Sequence, residues 1–432
     1  MTDLRGSDTA KAASLAGAMI ANNLLALVST VVFARLLKDN QGGGYGSLAA
    51  LISYFLILSV AGQALQVATA RESVLGHLGV GPGLIATLRR WTRSMLMFTA
   101  VMTVLSIALQ DPIAQLLNVK STWAAAIGLP AGCLWLELSL LRGALQGVGD
   151  YKSVGLSLIG EQGIRLVTGA ALAGVGLGVG GAYLGTPLSF LAIGVYCALH
   201  LHRYSVAHAA DAADAAAPVA ALSLSAHVKR AWAPIAGLIV IAVLQNIDII
   251  AAKHRFSTHA ATSYAAVAVG AKVLIWVAIG AGFYLVPEVS RRQSEGEDTR
   301  PVLVRTLAII LVCAIPCLLI FAFAAHPLIS AVFGANKATA SDSLLPLGAA
   351  FTVLACTYLA IQYMLALKRT WFLIAVGAVA IAEPVLLLQA PRNPPGFADV
   401  VLAIQAVGAL VAFAIALWPR DTTPPATPEL PV

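Results

Sequence analysis

Charge is what this sequence has least of. Asp, Glu, Lys and Arg make up 11% of its 432 residues, while 59% are hydrophobic. Soluble proteins carry about 25% charged residues, so the shortage excludes a water-solvated surface, and the chain is a polytopic membrane protein. Cysteine is scarce too. All five cysteines (Cys133, Cys197, Cys313, Cys317, Cys356) fall inside apolar segments. Cys313 and Cys317 are one helical turn apart with no His or carboxylate at ligand spacing, which makes them packing residues rather than metal or disulfide partners. The eight histidines are scattered and give no metal site. No cofactor is called for.

Other absences narrow the function. On the side where the loops are all short, no Ser, His and Asp fall together on one loop, so an enzyme working at that membrane surface has nowhere to build its machinery. The glycines of GVGLGVGG from Gly174 join two apolar segments with no strand before them, which argues against a dinucleotide or phosphate loop. The net charge of +7 would suggest nucleic acid in a soluble chain. Here the placement of the cations matters more than their sum, and no nucleic-acid partner is expected.

What is present is apolar length. A spanning helix needs about 20 mostly apolar residues, and twelve segments qualify, near 14–36, 46–69, 93–110, 122–145, 153–173, 181–201, 230–252, 262–288, 304–325, 342–366, 371–389 and 398–418. The first is too long and unpunctuated for a cleaved signal peptide. Assigning connections alternately to two sides puts 18 Lys and Arg on one and 7 on the other. The positive-inside bias then places both termini in the cytoplasm of a cytoplasmic-membrane protein. Arg142 is counted on the rich side, where it and Lys152 bracket a turn; Arg35 and Lys253 end the first and seventh helices on the poor side.

The chain reads as built twice. Ala61-Gly62 through Arg71 aligns with Ala281-Gly282 through Arg291, Asp111-Pro112 with His326-Pro327, and Val154-Gly155 through Glu161 with Val376-Gly377 through Glu383. Six helices per half insert in one orientation, so the halves are related by an axis along the membrane normal. The expected units are a six-helix lobe over 1–204, an Ala-rich cytoplasmic linker over 205–229, a second lobe over 230–420 and a disordered, proline-rich tail over 421–432.

Against this apolar background, ionisable residues at bilayer depth stand out, since a charge at a helix centre costs about 2.5–3.5 kcal/mol on insertion scales. Glu161 and Arg165 lie one turn apart on one face of the fifth helix, either as a self-neutralising pair or as the polar wall of a cavity. Glu383 has Leu387 at the equivalent place and needs another partner or a proton. Asp248 and Gln245 share a face of the seventh helix, beside Asn246. Lys272 lies deep in the eighth, as an ion-pair partner of Asp248 or as a cation waiting for an anionic headgroup. Asn22, Asn23 and Thr30 give the first helix a polar side. Glu137, mid-helix in the fourth, has no obvious partner. Interface anchoring suffices for Arg35 and Lys253.

Several of these residues sit in a familiar order. Ala34-Arg35-Leu36-Leu37 before Tyr45-Gly46, Arg142-Gly143 with Leu145-Gln146-Gly147 and Tyr151, QNIDIIAAKH from Gln245, Tyr264-Ala265-Ala266, Lys272 and Pro287 resemble the MOP flippase superfamily. Within it they are most similar to the Wzx-type polysaccharide transporters. Twelve helices suit these and the MATE multidrug antiporters better than the lipid II flippases. The resemblance implies an all-α fold of two six-helix lobes around a V-shaped cavity, rocking by alternating access. It implies a polyprenyl-diphosphate-linked oligosaccharide as substrate, with Arg165 and Lys272 binding the diphosphate. Asn23, Gln66, Gln245 and Asn246 would meet the sugars, Arg35 and Lys253 would add to substrate binding, and Asp248, Glu161 or Glu383 would carry a coupling proton or sodium ion. Implied partners are the lipid-linked glycan, membrane lipid and a polysaccharide polymerase machinery. A MATE-type exporter of cationic drugs is the alternative; it requires no deep cation.

Overall fold

In the computed structural model, residues 2–38, 43–207 and 223–418 are described, and among them there is no strand. The first half runs α1 (Thr2–Leu36), α2 (Gly44–Val74), α3 (Pro82–Ala108), α4 (Gln110–Leu117), α5 (Thr122–Ala126), α6 (Gly128–Gly147), α7 (Tyr151–Leu172) and α8 (Gly178–Ala207). The second runs α9 (Leu224–Arg230), α10 (Trp232–Arg255), α11 (Thr258–Ala271), α12 (Val273–Ser294), α13 (Arg300–Phe323), α14 (Ala325–Phe333), α15 (Leu344–Ala366), α16 (Phe372–Leu387) and α17 (Pro394–Ala416). Short polar side chains start several of them: Asp150 accepts from the Ser153 amide at 3.0 Å ahead of α7, and Asn393 from the Gly396 amide at 2.8 Å ahead of α17. Each fills one orphan donor of a helix N-terminus.

Nine stretches among the described residues are long and apolar enough to cross a bilayer, and one, Tyr151–Ala207, holds both α7 and α8. Two expected spans depart from simple helices. The eighth breaks at Lys272, whose ψ of −9° ends α11 and starts α12. The eleventh, α16, has only 16 residues. The linker expected over 205–229 is narrower than the composition suggested: Ser205–Ala207 still belong to α8, and Leu224–Arg230 form α9. Residues 208–222, and the tail over 421–432, lie outside the described residues.

Packing follows the repeat. In the first half α2 lies against α6, α7 against α1 and α8, and α6 against α3 and α8; in the second α15 is packed by α12, α13 and α17, and α10 by α16. The two repeated glycines show why. A Cβ on Gly62 would sit 2.5 Å from Trp135 and Ser139 of α6, and one on Gly282 would sit 3.1 Å from Tyr358 of α15. The same Ala-Gly step therefore lets an aromatic of the fourth or tenth helix close on the second or eighth. The Asp-Pro and His-Pro pairs also match, each opening a short helix, α4 or α14, after a spanning one.

The remaining surface is apolar. Val101, Val104 and Ile107 on α3 and Ile309, Val312 and Phe323 on α13 are exposed, as lipid contact requires. Exposed Trp232, Trp371 and Trp418 lie at the helix ends that carry the Lys and Arg excess, where amphipathic rings sit at headgroup level. The halves touch chiefly where α2 packs on α10 and α11.

Candidate functional site

Each half holds one buried polar cluster, and each cluster contains one of the two repeat-related acids, Glu161 or Glu383. In the first, the α-helical spacing brings Arg165 NH2 to 2.7 Å from Glu161 Oε1, one turn away as expected. A third member comes from α6. Arg142 NH1 lies 2.9 Å from Glu161 Oε2, near enough to pair though not aligned as a hydrogen bond. Arg142 Nε donates to Ser157 Oγ at 2.8 Å and NH2 to the Ser157 carbonyl at 2.9 Å. Its side chain is fully buried, beside the Trp135 ring. The sequence set Arg142 at the edge of a cytoplasmic turn, and the structure corrects this. It lies five residues inside the end of α6 and points across to α7, where two serine acceptors and a carboxylate offset its desolvation.

Arg165 stands differently. Its side chain is 20% exposed, it lies over the Phe190 ring, and its Nε has no partner. Tyr183, close enough to interact with it electrostatically, carries a buried hydroxyl that is likewise unpartnered. Two guanidiniums share one carboxylate, so the cluster holds one positive charge in excess.

In the second cluster, Lys272 Nζ lies 3.1 Å from Asp248 Oδ1, with both side chains buried, and Tyr264 donates to Asp248 Oδ2 at 3.2 Å. The ammonium also sits over Phe351, 5.1 Å from the ring centroid. Phe256 and Phe397 fix the Tyr264 ring, the latter edge-on at 5.3 Å. Glu383 faces this pair from α16, within electrostatic reach of both Asp248 and Lys272. Its Oε1 accepts from Gln405 of α17 at 3.1 Å, and its buried Oε2 has no partner. Gln405 also donates to the Leu244 carbonyl at 2.9 Å, tying α17 to α10. Glu161 and Glu383, related by the repeat, thus each anchor one cluster. Lys272 thus lies at the joint of α11 and α12, where the backbone stays right-handed and hydrogen-bonded, its amide donating to the Ala268 carbonyl at 3.0 Å.

Arg35 and Lys253 join neither cluster. At the far end of the helices, Arg35 donates to the Ala331 and Val332 carbonyls at the end of α14, at 2.8 and 3.2 Å. Lys253 is buried against the other half and donates to Ser47 of α2 at 3.2 Å. Beside it, Asn118 donates to the Lys253 carbonyl and His254 Nε2 to the Leu116 carbonyl, each capping a helix of the opposite half. Asn118 reaches across from a left-handed backbone position, φ 49°, that asparagine tolerates well. Asn23, Gln66 and Gln245 are half-buried. Asn246 is buried and donates to the Ala242 carbonyl of its own helix at 2.9 Å. Glu137, without an obvious partner by sequence, accepts from Thr92 of α3 at 2.5 Å.

Sequence reasoning missed Arg142, Tyr183 and Gln405 as parts of these clusters. Gln405 carried a signal, being a lone amide in the middle of an apolar span. Among the described residues, no three His, Cys, Asp or Glu side chains converge as a metal site.

No family model and no curated protein sequence matches the chain. Solved structures do. An inward-facing multidrug resistance MATE family transporter of the MOP superfamily aligns over 92% of this chain and 93% of its own, at 13% identity and a TM-score of 0.68. The lipid II flippase MurJ in an inward closed conformation aligns over 93% and 87%, at 14% identity and a TM-score of 0.70. A MOP superfamily transporter from Pyrococcus furiosus, described by the reverse polarity of its binding pocket, aligns over 94% of both chains at 14% identity and a TM-score of 0.52. At these identities the likeness concerns architecture. The chain has the polytopic helical fold of the MOP superfamily transporters.

Proposed function

We propose that this protein flips a polyprenyl-diphosphate-linked oligosaccharide across the cytoplasmic membrane by alternating access between two six-helix lobes, serving cell-surface polysaccharide synthesis. The observation that carries this reading is the excess cation at Arg165, partly exposed and sharing its carboxylate partner Glu161 with Arg142. A diphosphate leaving the headgroup layer must exchange its hydration for fixed donors, and a guanidinium fork suits phosphate oxygens geometrically. Lys272 would add a second cation when its pair with Asp248 opens. Asn23, Gln66 and Gln245 would face the sugars, while the lipid tail stays in the bilayer. A lipid flippase and a transporter of reversed pocket polarity among the structural relatives support the same direction.

MATE-type efflux of cationic drugs is the second reading. It is favoured by the second cluster, where two carboxyl groups, Asp248 and Glu383, face a single cation and one oxygen is unpartnered. Asp248, Glu383 or Glu161 would then exchange a proton or sodium ion, as they would in an ion-coupled flippase.

Reconstitution in liposomes decides between them. Transport of a fluorescent polyprenyl-diphosphate oligosaccharide should be lost in Arg165→Ala and reduced in Lys272→Ala. A drug antiporter would instead export cationic dyes, retain activity in both variants and ignore the diphosphate lipid. Indifference of flipping to imposed proton and sodium gradients would remove the coupling role from the three acids.

A further inference from the structure

We propose that Arg142, which no ligand can reach, sets the sign of the first cluster: it neutralises Glu161 so that the charge of Arg165 remains available to an anionic phosphate headgroup. The ligand class rests on the flippase reading above; the charge relay itself does not. Arg142 is a positioning residue. Its guanidinium is fixed on three sides, by Ser157 Oγ, by the Ser157 carbonyl and by Glu161. Ser157 Oγ uses its own proton on the Val154 carbonyl at 2.7 Å, which leaves its lone pairs for Arg142. The charge is thus held in place with no exposed face.

Glu161 has one unit of negative charge and two oxygens. Oε2 is engaged by Arg142 and Oε1 by Arg165. Without Arg142, both oxygens would be free to take Arg165 as a closed fork, and the cluster would be neutral. With Arg142 present the closed fork is blocked. Arg165 keeps an unpartnered Nε and a partly exposed head, over Phe190 and near the unpartnered Tyr183 hydroxyl. Arg165 Nε and the Tyr183 hydroxyl are thus two buried donors without a partner, the kind of group that phosphate oxygens accept from.

The test is equilibrium binding of farnesyl diphosphate to the full-length protein in nanodiscs, which needs no coupling ion. Arg142→Met should weaken binding by about tenfold or more, or about 1.4 kcal/mol. Arg142→Lys keeps the charge but loses the fork to Ser157, and should bind within about threefold of wild type. Arg142→Met/Glu161→Gln restores the net charge while removing both packing partners, and should recover to about the same level. A purely structural role predicts the reverse order, with Arg142→Lys as weak as Arg142→Met and the double variant weakest; that order overturns the proposal.

Phenylglyoxal labelling of Arg165, read by peptide mass spectrometry, reports the same relay without a lipid ligand. Labelling should fall in Arg142→Met and return in the double variant, and an unchanged rate overturns the proposal. If wild type binds no farnesyl diphosphate, the flippase reading falls and the labelling alone decides the role of Arg142.

Discussion

Removing the Lys272 ammonium leaves Asp248 fully buried with a tyrosine hydroxyl and a second carboxyl for company. Two unit charges 3.1 Å apart attract by about 5 kcal/mol at an effective dielectric near 20. Desolvation of both ions offsets much of that, so the pair as a whole contributes little net stability. Breaking it by removing one partner is costly, about 3–5 kcal/mol for a buried pair. Lys272→Met should therefore destabilise the protein by about that amount, measured by equilibrium unfolding in mixed micelles. Asp248→Asn/Lys272→Met removes both charges and preserves an acceptor for Tyr264, and should return to within about 1 kcal/mol of wild type. The two substitutions would then couple by about 2 kcal/mol or more. Additive losses, or a Lys272→Met loss below about 1 kcal/mol, would show that the ammonium is solvated or paired elsewhere and would refute the geometry of the second cluster.

Two further outcomes follow from other contacts. Asn118→Ala and His254→Ala each remove a cross-half cap at the far end of α10, worth about 1 kcal/mol. Each should raise the population open on that side by roughly fivefold, read as a longer distance between spin labels at positions 123 and 388; an unchanged distribution would exclude these caps as a gate. At the opposite end, His227 of α9 is buried, stacked on Trp91 and bonded to Thr69 at 3.0 Å. Burial lowers its pKa below the ordinary 6.5, with Arg230 acting in the same direction and Glu72 opposing. Undocked α9 therefore takes up a proton before docked α9 does. Docking is at full strength above pH 6.5 and is lost as pH falls below it. Hydrogen exchange of residues 224–230 should accelerate on acidification in wild type and lose that pH dependence in His227→Phe.

The sequence alone determined the elements, the repeat and the local charge pair. Hydropathy is a property of consecutive residues, so the apolar segments were legible, though not that the eighth is two helices or that the eleventh is short, and the period of the helix put Glu161 beside Arg165. The Ala-Gly and Xaa-Pro steps recur because each half must close the same helix contacts. Asp248 and Lys272 were also legible as partners, since they lie on neighbouring helices of one hairpin. Tertiary structure decided the rest. Arg142 belongs to Glu161 only because α6 packs near α7 with Ser157 between them, and no spacing along the chain encodes that. Lys253, an interface anchor by position, is buried because α2 of the other half covers it. The break at Lys272 carries no proline at the joint, and it becomes visible only where α11 and α12 dock against different neighbours. Insertion depends on the sum of transfer free energies along each segment, which the sequence contains. The sign of charge at a buried site depends on which helices meet, and that is fixed only when they pack.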